Sequence, residues 1–309
     1  MSLEQATATK WTLAEALCGV IPPVITPLKQ GGEVDEGGLG ALVDYVVKAG
    51  CTGIFAIGGC GLGPWLTTEE RSIALRAAIA GAAGRVPVLA GCMLPATGPA
   101  RDAARRAEAE GADVIVAGTP YYNSVSVAEQ LRHIEAILAA VSLPVMLYNI
   151  PQCTGHPLYP ETIATLAREP RILGIKDSSA YITVFQSHVA LKRLRTDFRV
   201  LQGGERVMAA SMLLGGDGVI AGLANVAPHY FIDLVQAGHR GDLQACRQLQ
   251  VKITDLYSLF FQGQLLAALI AACGDLGFGS GRPSEPYTVP SDAQRTEIRS
   301  ILRRHGLLK

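Results

Sequence analysis

One unit recurs along the chain: a short apolar run followed by a stretch with helical amphipathicity. The runs begin near Gly19, Gly53, Pro87, Ala112, Pro144, Ile172, Arg199 and Gly218, eight in all. Runs that are apolar almost without interruption suit strands covered on both faces, because a half-buried strand would alternate polar and apolar residues. Parallel strands need long crossovers, and a helix-like segment follows nearly every run. Thr67-Thr-Glu-Glu70 has the sequence of a capping box, and Ser126 to Ala140 carries apolar residues at helical spacing. Eight such units in about 210 residues predict a (β/α)8 TIM barrel over residues 18–230. A doubly wound open sheet is the alternative. Its first strand would normally lead into a Gly-x-Gly-x-x-Gly turn, and Thr26-Pro-Leu-Lys-Gln-Gly-Gly32 is not one.

Beyond Pro228 strand signals stop. His229 to Ala272 reads as two or three helices, 274–290 is rich in Gly and Pro, and 292–308 reads as a last, charged helix. The expected organisation is an N-terminal tail (1–17), the barrel (18–230) and a C-terminal helical region packed on it (231–309), with no second independent domain.

Charge and cysteine usage narrow the function. Lys plus Arg equals Asp plus Glu at 27 each, so no global field favours nucleic acid or an anionic membrane. Apolar residues make up 49% of the chain, yet their stretches are short and broken by Gly and Pro, and none has the length of a bilayer span. The N-terminus carries Glu4 and Lys10 and lacks the apolar core of a signal peptide, so the expectation is a cytoplasmic protein acting on a small molecule. The seven cysteines (18, 51, 60, 92, 153, 246, 273) form no Cys-x-x-Cys pair, and an odd number cannot all pair, so they read as reduced thiols. Cys60, Cys92 and Cys153 map near the barrel mouth, but only His156 lies nearby in sequence, so no metal is expected.

In a barrel of this type the working face lies at the C-terminal ends of the strands. Lys176 ends the sixth run, Arg171-Ile-Leu-Gly-Ile-Lys-Asp-Ser-Ser179. An amine emerging from an apolar strand is partly desolvated, which lowers its pKa and frees the lone pair to attack a carbonyl and form a Schiff base. The competing reading is a strand-end lysine that carries its charge out to solvent. Tyr148 ends the neighbouring fifth run. Side-chain alternation lets both residues point into the mouth, where a phenol can shuttle protons, although a tyrosine there can equally serve as a packing ring. On the same face lie Gly58-Gly-Cys-Gly-Leu62, Thr119-Pro-Tyr-Tyr-Asn123 and Gly203-Gly-Glu205.

Thr119-Pro-Tyr-Tyr-Asn123, Leu147-Tyr-Asn-Ile-Pro151 with Thr154-Gly155, Gly174-Ile-Lys-Asp-Ser-Ser179 and the segment 215–228 (GGDGVIAGLANVAP), in this order and spacing, resemble the dihydrodipicolinate synthase and N-acetylneuraminate lyase family. The resemblance implies a TIM barrel with a C-terminal helical extension, assembled as a homotetramer of two tight dimers. It implies that Lys176 condenses with the keto group of pyruvate or another 2-oxo acid, that Tyr148 relays protons, and that Tyr122 reaches across a subunit interface. Backbone groups of Gly59, Cys60 and Gly61 would hold the substrate carboxylate, with Cys153 and Ile220 as further substrate contacts. No metal or organic cofactor is implied.

Two departures bear on the substrate. The family turn commonly reads Gly-Thr-Thr-Gly-Glu or Gly-Ser-Thr-Gly-Glu, and here Gly59 and Cys60 replace both hydroxyl residues. Dihydrodipicolinate synthases proper carry an arginine at the position of Cys153, and a thiol cannot make a bidentate contact to a carboxylate. With Leu62, Pro64 and Trp65 in the adjoining loop, the pocket is expected to suit aspartate semialdehyde poorly and an apolar or differently functionalised 2-oxo acid better; Leu62 and Trp65 could instead pack in the loop or at an interface. Three functional readings follow. They are a Schiff-base lyase catalysing aldol condensation, cleavage or dehydration, an authentic 4-hydroxy-tetrahydrodipicolinate synthase, and a catalytically weakened 2-oxo acid binding protein.

Overall fold

The computed structural model describes residues 11–309, so Glu4 and Lys10 lie outside the described residues. Seven parallel strands form one sheet in sequential order. They are β1 (Ile54–Ala56), β2 (Val88–Gly91), β3 (Val114–Gly118), β4 (Val145–Asn149), β5 (Ile172–Asp177), β6 (Arg199–Gln202) and β7 (Gly218–Val219). These are the second to eighth of the apolar runs.

The first run corrects the expectation of eight strands. It makes isolated parallel bridges, Val20 to Val219 and Pro23 to Phe55, but no regular strand. Pro22 and Pro23 cannot donate, so the ladder there falls back on single bonds such as Ile21 N–H to Val219 O (3.0 Å) and Val24 N–H to Phe55 O (3.1 Å). The Pro-Pro pair was visible in the sequence as the signal against a strand.

The near-continuous apolarity of the runs has a direct cause: both faces of the sheet are buried, in two separate clusters. Phe55, Leu89, Val116, Met146, Leu201 and Ile220 pack together on the concave side, with Ile21 from the first run among them. Their strand neighbours Ile54, Val88, Ile115, Val145, Leu147 and Val200 pack on the other side, with helical residues such as Leu42, Leu75 and Ile134. The two sets interleave with the period of two that a pleated strand requires. Within the stretch read as an N-terminal tail, Thr12 and Glu15 form a capping box for the short helix Leu13–Ala16, and Leu17 is buried in the concave cluster. After β7 come the helices Pro228–His239, Leu243–Leu256, Leu265–Asp275 and Asp292–Arg304. Among the described residues no single helix is long and apolar enough to cross a membrane.

A bulge in β5 sets the site. Val145 pairs with Ile172, but Met146 pairs with Gly174, so β5 holds one extra residue at this point. Without it Tyr148 would stand opposite Ile175; with it Tyr148 stands opposite Lys176 and both face the concave side. Gly174 is where the β5 backbone presses on β6. A Cβ there would collide with the Arg199 carbonyl oxygen and sit 2.7 Å from the Arg199 carbonyl carbon. Gly174→Ala should therefore lower stability by about 3 kcal/mol, read from urea unfolding midpoints. Gly98→Ala, in the helix Thr97–Glu110 with open space around the new methyl, should leave the midpoint unchanged or raise it.

Candidate active site

Lys176 is only 4% exposed. Its Nζ lies over the ring of Tyr148, 4.0 Å from the centroid, and 5.0 Å from that of Phe55. Phe55 meets Tyr148 edge to face, with centroids 6.1 Å apart. The lysine thus rises from the sheet into an aromatic cup. Burial pulls its pKa down to about 8, against an opposing pull from Cys60, Glu205 and Cys153. The ring faces favour the ammonium form weakly, and desolvation outweighs them.

The residue after the lysine anchors the strand end. Asp177 is fully buried and accepts from Asn149 Nδ2 (2.7 Å) and Ser179 Oγ (2.9 Å). Asn149 Oδ1 in turn accepts from Leu158 N–H (3.1 Å), so the ends of β4 and β5 are tied to each other and to the next loop. Ser178 Oγ donates to the Tyr148 phenol oxygen at 3.4 Å. Burial pushes the Tyr148 pKa up, which keeps its proton on the ring oxygen at neutral pH.

The turn after β1 is shaped by backbone. Ile57 (φ 47°) and Leu62 (φ 58°) bracket it in the left-handed region, and Gly63 N–H closes it onto Gly58 O at 2.9 Å. Thr26 Oγ donates to Gly61 O (2.6 Å). Among the described residues the N–H groups of Gly59, Cys60 and Gly61 donate to no backbone carbonyl. Successive amide groups left open in this way can receive an anion.

A cavity of about 950 Å³ opens over the lysine. Of the residues singled out from sequence, Lys176, Tyr148, Gly59, Cys60, Cys153 and Ile220 all line it. Gly61 does not; it packs on backbone, where a Cβ would stand 2.9 Å from Ile57 N and 3.0 Å from Val24 O. Tyr122 does not line it either. It is 95% exposed with φ 82°, and Tyr121 lines the cavity instead. Leu62 belongs to the buried core, while Trp65 lines the cavity and packs against Tyr287 with centroids 5.4 Å apart.

Two lining groups were missed as site residues. Ser178 sits in the Lys-Asp-Ser-Ser motif and reaches Tyr148. Glu205, 8% exposed, accepts from Gly222 N–H (2.9 Å) and Leu223 N–H (3.4 Å), and burial raises its pKa. Its signal was its position at the end of the seventh run. Burial likewise drives the Cys60 thiol up to about 12 and raises that of Cys153, so neither is a thiolate at neutral pH. Cys92 lies apart, fully buried and outside the cavity wall. Among the described residues no three His, Cys, Asp or Glu side chains are grouped to hold a metal ion.

The sequence model of the dihydrodipicolinate synthetase family matches residues 16–305. The chain belongs to that family. A 4-hydroxy-tetrahydrodipicolinate synthase of Hyphomonas neptunium is 35% identical to it, over 94% of this chain and 98% of the relative. A probable 2-dehydro-3-deoxy-D-pentonate aldolase of Escherichia coli K12 is 32% identical, again over 94% and 98%. Among solved structures, that of YagE, a family protein of E. coli K12 in complex with pyruvate, superposes with a TM-score of 0.89 at 32% identity, covering 94% of this chain and 98% of YagE. This dihydrodipicolinate synthetase family member is a lyase of the aldolase type. Near-equal identity to a synthase and to a sugar-acid aldolase leaves the choice of substrate to the cavity wall.

Proposed function

We propose that Lys176 forms a Schiff base with pyruvate or a substituted 2-oxo acid and that the enzyme makes or breaks a carbon–carbon bond next to the imine, without metal or organic cofactor. The observation that carries this reading is a buried lysine with its pKa near 8, placed at the floor of a large cavity beside a protonated phenol. The neutral amine attacks the keto carbon, the carbinolamine loses water, and loss of a C3 proton gives the enamine that adds to an aldehyde. Tyr148, with Ser178 behind it, is suited to hand protons to and from the carbinolamine oxygen. The open N–H groups of Gly59 and Cys60 would receive the substrate carboxylate, and Cys153 and Ile220 would border its carbon chain.

The same reading extends to architecture. The first run, bridged to both β1 and β7, would act as the eighth element that closes a (β/α)8 barrel over residues 18–230, with residues 231–309 as a helical region packed on it. An exposed Tyr122 held at positive φ suits a side chain reaching towards a neighbouring subunit of a homotetramer. A catalytically weakened binding protein would not need to hold a buried amine at its own energetic cost. An authentic synthase for aspartate semialdehyde would lack the cation that Cys153 replaces.

Borohydride trapping of the pyruvate adduct tests the lysine, read by peptide mass at Lys176. At limiting pyruvate the initial trapping rate should climb with pH and level off above about 8, because only the neutral amine reacts. At pH 7 roughly a tenth of a group with this pKa is neutral, against about one in three thousand for an ordinary lysine. A rate still rising tenfold per unit between pH 8.5 and 9.5, or an adduct on another lysine, would overturn the assignment.

A further inference from the structure

We propose that the outer half of the cavity selects a carbonyl partner carrying an aryl group, with Trp65, Tyr287 and Phe260 as the residues that recognise it. The proposal deepens the Lys176 reading above and rests on it for the chemistry, though not for the binding. Seven of the chain's 18 aromatic side chains (2 Trp, 9 Tyr and 7 Phe) line this one cavity. They come from segments far apart in sequence: Trp65 follows β1, Tyr121 follows β3, Phe260 belongs to the 3-10 helix Tyr257–Phe261, and Tyr287 lies in the loop before the last helix. Trp65 and Tyr287 contact each other at a 44° tilt, and Trp65 keeps 42% of its surface exposed. A large ring left half open at a cavity mouth has an apolar face to offer.

The polar side of the wall points the same way. Among the described lining residues the charged side chains besides Lys176 are Glu205 and Arg206. One oxygen of Glu205 is engaged by Gly222 and Leu223 N–H, and the Arg206 guanidinium lies over the Tyr257 ring, 5.2 Å from its centroid. A polyhydroxylated substituent would give up hydration for few open partners, because lining hydroxyls and amides are already engaged: Thr119 with His156, Gln152 with Ser178 O, Thr154 with His156 O and Ser179 with Asp177. An aryl group would meet ring faces and the side chains of Leu265 and Leu266. Pyruvate alone would fill a small part of about 950 Å³.

The reaction assigned is pyruvate plus an aryl aldehyde to a 4-hydroxy-4-aryl-2-oxobutanoate, and its reverse. The enamine carbon bonds to the aldehyde carbon, the carbonyl π pair moves to oxygen and takes a proton, and water then cleaves the iminium to release product and free Lys176.

The test separates binding from chemistry. 4-Phenylbutanoate has a carboxylate and an aryl tail but no keto group, so calorimetry reads the cavity whether or not the lysine reacts. It should bind at least tenfold more tightly than adipate to the wild type and to Lys176→Ala alike. Trp65→Ala and Tyr287→Ala should each weaken it by fivefold or more while leaving the pyruvate trapping rate within twofold. Condensation of pyruvate with benzaldehyde should then exceed that with glyceraldehyde or aspartate semialdehyde by at least tenfold in kcat/KM. Equal binding of 4-phenylbutanoate and adipate, or binding indifferent to both substitutions, would overturn the aryl assignment. Tight aryl binding with no pyruvate adduct would uphold the pocket assignment and refute the Lys176 chemistry.

Discussion

Lys176→Met will yield no borohydride-reducible pyruvate adduct, will lose turnover by about 10⁴-fold or more, and will unfold at a higher temperature than the wild type. The loss of activity follows from chemistry, since among the described residues that line the cavity Lys176 is the one lysine. The gain in stability follows from burial. The folded state holds this amine at a pKa of about 8, below the 10.5 of an exposed lysine, so the unfolded chain binds more protons between those values. Stability therefore falls as pH drops from 10.5 towards 8, and below 8 the full cost, on the order of 3 kcal/mol, is present. A methionine fills the same volume with no charge to desolvate. Calorimetric scans of both proteins at pH 7 check the sign, and the gap between their melting temperatures should narrow as pH is raised towards 10. A less stable Lys176→Met would mean that the lysine is placed for packing and that its charge reaches water.

That lysine was legible from sequence because it stood at the end of an apolar strand, and Tyr148 and the turn at Gly59 and Cys60 follow from the same rule, whereas Cys153 and Ile220 as substrate contacts rest on the family resemblance. The rule depends only on the period of a strand and the length of its apolar run, and both survive folding. What it could not supply was register. The extra residue in β5 that brings Tyr148 opposite Lys176 leaves no mark in composition, because its cause is the collision that a side chain at Gly174 would have with β6. The first run has the apolarity of a strand, but Pro22 and Pro23 lack the donors that a regular ladder needs. Leu62 stands in a loop beside the mouth, and of its two readings the structure bears out packing, with a left-handed backbone and a side chain in the core. Glu205 ends the seventh run and so satisfies the same rule, but its burial against the Gly222 and Leu223 N–H groups comes from a contact between segments that the rule does not supply.

Tyr148→Phe is the sharper test of the site, because it removes one oxygen and leaves the ring that packs on Phe55 and faces Lys176. Turnover should fall by about 10²–10⁴-fold, the range for losing a positioned proton donor, while the protein should melt within a few degrees of the wild type. Trapping of pyruvate should still occur, more slowly, since carbinolamine dehydration loses its acid but the amine remains. Ser178→Ala should have a smaller effect, about tenfold, because its bond to the phenol is long at 3.4 Å and water can replace it. If the two residues act in one relay, adding Ser178→Ala to Tyr148→Phe should change little further, since the hydroxyl then has no phenol to serve. Additive losses would place Ser178 on the substrate directly. An unchanged rate in Tyr148→Phe would make the phenol a packing ring, and the protons of the carbinolamine would then have to pass through Glu205, the other buried acid that the cavity offers.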